Sequence, residues 1–220
     1  MYLTIIIPCL NEEKTIGECI TKANTFINVS RIDASVLVVD NGSTDNSVMI
    51  AKELGADVIC EKEKGYGNAL RKGIFYADSE YVIFGDADCS YDFEHLNDFV
   101  EKFKEGYEFV NGYRIPCPGS TTMLHSLGVK FLSLLGRIKF RTKLKDFHCG
   151  LRGFKKDLFS PEDFKTTGME FATEIIAVAA KKKAEISEVK VKLYPDKRGR
   201  PSHLRTFKDG FRHLSYIVKH

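Results

Sequence analysis

Asp86 and Asp88 stand two residues apart at the end of an apolar, β-prone run, Val82-Ile83-Phe84-Gly85. In an extended segment, side chains two apart point the same way, so both carboxylates can meet one hard divalent cation. A cation held partly by protein and partly open commonly carries a substrate diphosphate. Alone, such a pair is weak evidence, because short acidic pairs also cap helices and fill turns. Two further polar clusters change that. Pro8-Cys9-Leu10-Asn11-Glu12-Glu13 follows a first apolar run, and Asp40-Asn41-Gly42-Ser43-Thr44-Asp45 follows a second.

The elements that must position these clusters alternate between strand and helix signals. Residues 3–8 and 36–39 read as buried strands, 57–60 as a short strand and 81–84 as the strand feeding the aspartates. Residues 12–26 have helical spacing through Ile16, Cys19, Ile20 and Ala23. Ser43, Thr44 and Asp45 offer caps for a helix carrying Val48, Ile50, Ala51 and Leu54. Helices over 65–77 and 93–103 and a strand over 109–112 follow. This β-α-β-α order predicts an α/β fold with a mostly parallel sheet flanked by helices. Ligands gather at strand carboxyl ends in open sheets of that kind. All three polar clusters fall there, which makes them one site.

The second half is less regular. Residues 121–138 are helical, with Leu124, Leu127, Phe131, Leu134 and Ile138 on one face; 147–154 is a mixed stretch. Residues 169–183 form a helix, 186–193 an alternating strand and 206–219 a basic helix. With no linker or repeat, residues 1–220 are expected to form a single domain, with 1–115 and 116–220 as its two halves.

Composition narrows the classes. A chain of 220 residues with 43% hydrophobic content suits one sizeable folded unit. The six cysteines never form a Cys-x-x-Cys pair, which argues against a zinc site. Without a signal peptide they argue against a disulfide framework too, so a reducing, cytoplasmic compartment is expected. No apolar run is long enough to span a bilayer. The net charge of +3 hides two basic clusters. One comprises Arg137, Lys139, Arg141, Lys143 and Lys145; the other comprises Lys197, Arg198, Arg200, Arg205, Lys208, Arg212 and Lys219, opposed only by Asp209. Such clusters seek phosphorylated substrates or anionic lipid, or simply form a solvated face. Nucleic acid is not the expected partner.

The three rim motifs together, Ile-Pro-Cys-Leu-Asn-Glu-Glu, Val-Val-Asp-Asn-Gly-Ser-Thr-Asp and Asp-Ala-Asp, resemble the family-2 nucleotide-sugar glycosyltransferases with a GT-A fold. Downstream, Asp146-Phe-His-Cys-Gly-Leu-Arg152, Gly168-Met-Glu-Phe-Ala-Thr-Glu174 and the run from Arg200 to Leu214 resemble the polyprenyl-phosphate hexose synthases. Dolichol-phosphate mannose and glucose synthases are that branch's familiar members, and envelope glycan assembly is its setting. The resemblance implies that Pro8, Asn11, Glu12 and Asp40 hold the nucleoside, and that Asp86 and Asp88 bind Mg²⁺ or Mn²⁺. Asp146, Arg152, Glu170 and Glu174 fall where the family lines the sugar and acceptor pocket. Arg114, Lys197, Arg198, Arg200 and His203 fall where it contacts phosphates; Lys64 is a further donor-side candidate. One departure stands out: comparable enzymes often end on Arg-x-x-Gly-x-Ser-Lys, whereas here Lys197, Arg200 and His203 occupy the nearest positions. A histidine there makes a phosphate contact pH-dependent or absent.

The chemistry implied is inverting, metal-dependent transfer of a hexose from a UDP-glucose- or GDP-mannose-type donor to a polyprenyl phosphate, leaning to a uridine-linked, glucose-type donor. The leaving diphosphate gains negative charge, so a divalent metal and fixed cations stabilise the transition state preferentially. A phosphate acceptor is already a nucleophilic dianion at neutral pH and needs cations to locate it, with Arg114 and Arg152 suited to bidentate contacts. A glycan or other hydroxyl acceptor would instead require Glu170, Glu174 or Asp146 as base. A non-catalytic lipid- or nucleotide-binding module is a third reading. The 121–138 helix is either a core element or an interfacial one whose apolar face meets the headgroup region of an anionic membrane. Peripheral association with the cytoplasmic leaflet follows from the second option; oligomeric state is open.

Overall fold

The computed structural model describes residues 1–121, 123–199 and 206–220, and the side chains of all of these except 123–125 and 206–208. Strand β1 (Leu3–Cys9) is followed by α1 (Ile16–Ser30), β2 (Ala34–Asp40), α2 (Ser47–Glu53), β3 (Asp57–Cys60), α3 (Tyr66–Tyr76) and β4 (Tyr81–Phe84). Then come α4 (Asn97–Lys104), β5 (Phe109–Pro116), α5 (Met123–Phe140), β6 (Arg152–Lys155), α6 (Phe171–Lys181), β7 (Ile186–Leu193) and α7 (Thr206–Lys219). The strands form one sheet in the order β3-β2-β1-β4-β6-β5-β7. Only β6 runs against the rest, pairing antiparallel with β4 (Phe84 opposite Arg152) and with β5 (Phe109 opposite Phe154).

Period-two alternation explains the layers. Leu3, Ile5 and Ile7 of β1 face α1 and α4, in a core with Cys19, Ile20, Phe99 and Phe103. Ile6, with Leu37 and Val39 of β2, faces the opposite way into a core with Ile74 of α3 and Phe171 and Ile175 of α6. All three isoleucines of β1 are fully buried, each stabilising by roughly 1.5–3 kcal/mol. Helix α1 ends where Arg31 turns left-handed (φ 56°) and returns its N–H to the Ile27 carbonyl.

Several boundaries differ from the sequence reading. Helix α1 starts at Ile16, because residues 12–15 close a turn in which Thr15 and Ile16 donate to the Glu12 carbonyl. None of the three offered caps holds the N-cap of α2, which is Asn46; Asp45, one residue earlier, accepts from the Ser47 N–H and hydroxyl. Residues 93–96 precede α4 rather than opening it. Strand β5 runs to Pro116, so Arg114 lies within it, not after it. The mixed stretch ends in strand β6, hidden by its length of four residues and its Arg-Gly-Phe-Lys composition. Among the described residues no helix is long and apolar enough to cross a membrane.

The reversed strand has a consequence for the site. The carboxyl ends of β1, β2, β4, β5 and β7 share one edge of the sheet, and β6 begins at that same edge. Loop 141–151 therefore arrives beside the aspartate pair.

Candidate active site

Asp86 and Asp88 follow β4 directly, after Gly85 has extended the ladder with an N–H bond to the Ile6 carbonyl. The Tyr66 hydroxyl donates to Asp86 Oδ1 at 2.9 Å. Asp88 Oδ1 accepts from the Ser90 N–H at 2.9 Å, and its Oδ2 lies 3.0 Å from the Arg198 guanidinium. Burial first, then the Asp88 charge, pushes the Asp86 carboxyl up to about 6. A hard cation between the two acids relieves both effects. Gly150 adds a second sign of fit: a Cβ there would come within 2.1 Å of Asp86 Oδ2, so only glycine leaves that oxygen uncrowded. The pair could therefore hold Mg²⁺ or Mn²⁺. Among the described residues no cluster of three or more His, Cys, Asp or Glu side chains offers a metal cage, so the other ligand positions would fall to water and substrate oxygens.

The loops after β1 and β2 are zipped together beside this pair. Asn11, at φ 56°, donates its N–H to the Ser43 hydroxyl and accepts from the Thr44 N–H at 2.7 Å. The Glu12 N–H donates to the Ser47 hydroxyl at 2.7 Å. Asp40 accepts the N–H groups of Gly42 and Ser43. Lys64 Nζ donates to the Asn41 and Gly42 carbonyls at 2.7 and 3.1 Å. Pro8, half-buried, is the next-to-last residue of β1 and lies on the same edge. The structure thus brings Pro8, Asn11, Glu12, Asp40, Lys64, Asp86 and Asp88 onto one rim.

The segment after β7 closes over that rim. Tyr194 and Lys197 donate backbone N–H groups to the Ser90 and Asp88 carbonyls. Lys197 Nζ grips both Glu18 oxygens at 2.7 and 2.8 Å. Arg198 is the cation that enters: besides Asp88, its guanidinium lies 3.7 Å from Glu12 and 3.4 Å from Asp196. Arg200 and His203 fall outside the described residues.

On the acceptor side the expected roles change. Arg152 is fully buried and donates to the carbonyls of Phe147, Cys149 and Ala172, so it cannot reach a substrate phosphate. Its work is to lock loop 147–149 to the start of α6, and burial lowers its pKa. Glu174 is likewise consumed: its oxygens accept the Lys165 and Thr166 N–H groups and the Thr166 hydroxyl. Glu170 faces Arg212 of α7 through two contacts of 2.9 Å. Asp146 takes a two-point contact from Arg114, at 2.6 and 2.9 Å, and also accepts the His148 N–H. Arg114 is therefore already occupied by a carboxylate, though it remains near the rim.

Four site neighbours were not among the expected site residues, although Asn41 lies within the second rim cluster. Tyr66 fixes Asp86, and the Tyr91 hydroxyl accepts the Gly150 N–H. Asn41 spans the Glu61 and Glu63 carbonyls and the Gly65 N–H. His213 of α7 bonds the Thr173 hydroxyl at 2.8 Å and packs edge-on against the His148 ring. Their partners lie 20 to 65 positions away in the chain, beyond any local spacing rule. Glycine precedes Tyr66 because a Cβ at Gly65 would meet the Thr167 carbonyl at 2.2 Å.

Residues 4–161 match the family model described as Glycosyl transferase family 2. The chain belongs to that family. Among curated relatives, the low-salt glycan biosynthesis hexosyltransferase Agl6 of Haloferax volcanii is 35% identical over 98% of this chain, which spans 53% of that protein's length. The dolichyl-phosphate hexose transferase of the same organism is 29% identical, covering 86% of this chain and 81% of its own. Glucosyl-3-phosphoglycerate synthase from Mycobacterium tuberculosis, solved with Mn²⁺, UDP-glucose and phosphoglyceric acid, superposes with a TM-score of 0.77 at 18% identity. That superposition covers 99% of this chain and 79% of that one. It supports the GT-A fold expected from the three rim motifs.

Proposed function

We propose that this chain transfers a hexose from a nucleoside-diphosphate sugar to a polyprenyl phosphate at a membrane surface, by single displacement with inversion. The Asp86–Asp88 pair, held on one rim with the zipped β1 and β2 loops and facing Arg198, carries the reading. Asp40 and the Pro8–Glu12 loop hold the nucleoside, with Asn11 fixing the loop's shape. Asp86 and Asp88 hold Mg²⁺ or Mn²⁺, which when bound supplies positive charge to the departing diphosphate. Arg198, with Lys197 beside it, exchanges its carboxylate partners for the same diphosphate oxygens, a fixed cation where negative charge develops. The Haloferax relatives support a hexose as the transferred group and a dolichyl-type phosphate as acceptor.

The state of the carboxylates favours a phosphate over a hydroxyl acceptor. A hydroxyl needs a base, yet Glu174 is consumed by backbone N–H groups, Glu170 by Arg212 and Asp146 by Arg114. A phosphate monoester, with a second pKa near ~6, needs none. The surface of α5 supports a membrane-borne acceptor. Leu127, Phe131, Leu134 and Ile138 are 50–69% exposed and spaced four, three and four apart, which puts them on one helix face. Lys130, Arg137 and Lys139 stand beside them, all exposed, as an anionic bilayer surface would require.

The test is transfer of radiolabelled sugar from a nucleotide donor into an organic-extractable product with Mn²⁺ and polyprenyl phosphate. Label should enter the organic phase and vanish with a chelator. Label confined to water-soluble products would overturn the acceptor assignment. Screening nucleotide sugars by thermal shift identifies the donor, since a ligand bound by the folded state stabilises it.

A further inference from the structure

Cys19 and Cys89 place their sulfurs 3.7 Å apart in the interior, although the residues are 70 positions apart in sequence. All six thiols are free. Cys19 belongs to α1; Cys89 directly follows Asp88, in a left-handed conformation (φ 62°). Neither residue has any place in the transfer chemistry set out above. We infer that Cys19 and Cys89 form a redox modification site: a thiol pair that closes to a disulfide under hydroperoxide and thereby deforms the Asp86–Asp88 loop. The consequence for the metal loop rests on the proposed role of those aspartates; the link itself does not.

Geometry carries the argument. A disulfide needs sulfurs about 2.05 Å apart, so this pair must close by roughly 1.6 Å, with no new chain segment brought in. Both residues are almost fully enclosed, at 1% and 4% exposure. Cys89 nevertheless lies within electrostatic reach of Glu18, Lys22 and Lys197, whose ion pairs are partly exposed. In contrast, Cys60 is exposed and Cys117 half-buried, and neither has another cysteine as a hydrogen-bond partner among the described residues.

The step balances. Cys89 Sγ attacks one peroxide oxygen, the O–O bond breaks, and one water leaves with a sulfenic acid on Cys89. Cys19 Sγ then attacks that sulfur, the S–O bond breaks and a second water departs with the Cys19 proton. Two thiols are oxidised and one hydroperoxide is reduced. The displacement of Cys89 toward α1 is passed to both neighbours. Asp88 is oriented by the Ser90 N–H, and the Asp88 and Ser90 carbonyls anchor the segment carrying Lys197 and Arg198.

The experiment uses the full chain with Cys60→Ser and Cys117→Ser, treated with hydrogen peroxide and mapped by mass spectrometry. The expected product is a cross-linked pair of peptides containing Cys19 and Cys89, lighter by two hydrogens and reversed by dithiothreitol. Mn²⁺ affinity, read by electron paramagnetic resonance, should fall roughly tenfold on oxidation and return on reduction, as for loss of a supporting contact behind a metal ligand. Cys19→Ser, or Cys19→Ala if the serine variant is unstable, should bind Mn²⁺ normally and lose its response to peroxide. Two thiols that stay reduced overturn the proposal, as does a link that leaves Mn²⁺ affinity unchanged. If reduced protein binds no Mn²⁺ while the link forms, the metal reading fails instead and the modification site stands.

Discussion

The two halves of the molecule hold their acidic groups in different ways. In residues 1–115 the rim carboxylates are held by neutral donors: Asp40 by two backbone N–H groups and Asp86 by the Tyr66 hydroxyl. Their negative charge is left for something else to neutralise. In residues 116–220, Asp146 and Glu170 each face an arginine, and Glu174 closes a loop. One half is prepared for a cation; the other has spent its carboxylates on its own architecture. Arginines also join the halves: Arg198 of the second lies on Asp88 of the first, and Arg114 of the first meets Asp146 of the second.

That contrast can be broken at several points. The largest effect is expected at Arg152, where truncation leaves three buried carbonyls without a donor and opens a cavity. Arg152→Ala should cost about 3 kcal/mol or more in urea unfolding, with donor affinity of the folded fraction unchanged. A stable variant with lost donor affinity would return Arg152 to the site. Asp88→Ala should do the reverse, lowering transfer by about a hundredfold or more while its melting temperature stays close to that of the parent.

A pH titration separates the halves by sign. Burial, with the nearby Arg152 and Arg212 charges, lowers His213 to about 4 from 6.5. Its contribution is present above pH 6.5 and is lost as pH falls toward 4, a swing on the order of 3 kcal/mol. His213→Gln should flatten that part of the stability curve. Asp86 runs the other way: with its carboxyl raised to about 6 from 3.8, its contribution grows as pH falls through 6 and is lost as pH rises. Mn²⁺ binding should accordingly weaken about tenfold per pH unit below 6; an affinity flat to pH 4 would remove Asp86 from the metal site. The smallest change to the fold is expected on α5. Phe131→Ser with Leu134→Ser should alter stability by no more than about 0.5 kcal/mol and reduce sedimentation with anionic liposomes by about tenfold. Unchanged sedimentation would assign that stripe to another partner.

The halves also differ in how far their sequence could be read. Strands β1, β2 and β4 and their rim loops were legible, because each buried strand is an apolar run ended by polar residues at fixed places. The antiparallel β6 was not, since Arg152-Gly153-Phe154-Lys155 shows neither alternation nor an apolar run. Glu170 and Glu174 illustrate a subtler limit. Their i, i+4 spacing suggests one stripe of a 169–183 helix, but α6 begins at Phe171 with Glu170 as its N-cap, and the two carboxylates meet different partners, Arg212 and the Thr166 backbone.

What the sequence determined by itself was the alternation of strands and helices that makes a mostly parallel sheet, the rim on which polar residues gather and the acidic pair at its centre. Those follow from periodicity and chain direction, which are local. Which carboxylates remain available, which arginine is buried among carbonyls and which two thiols touch were decided by tertiary structure alone. Hydrogen bonds act over about 3 Å in space, while the residues that share them at this site are 2 to 179 positions apart along the chain.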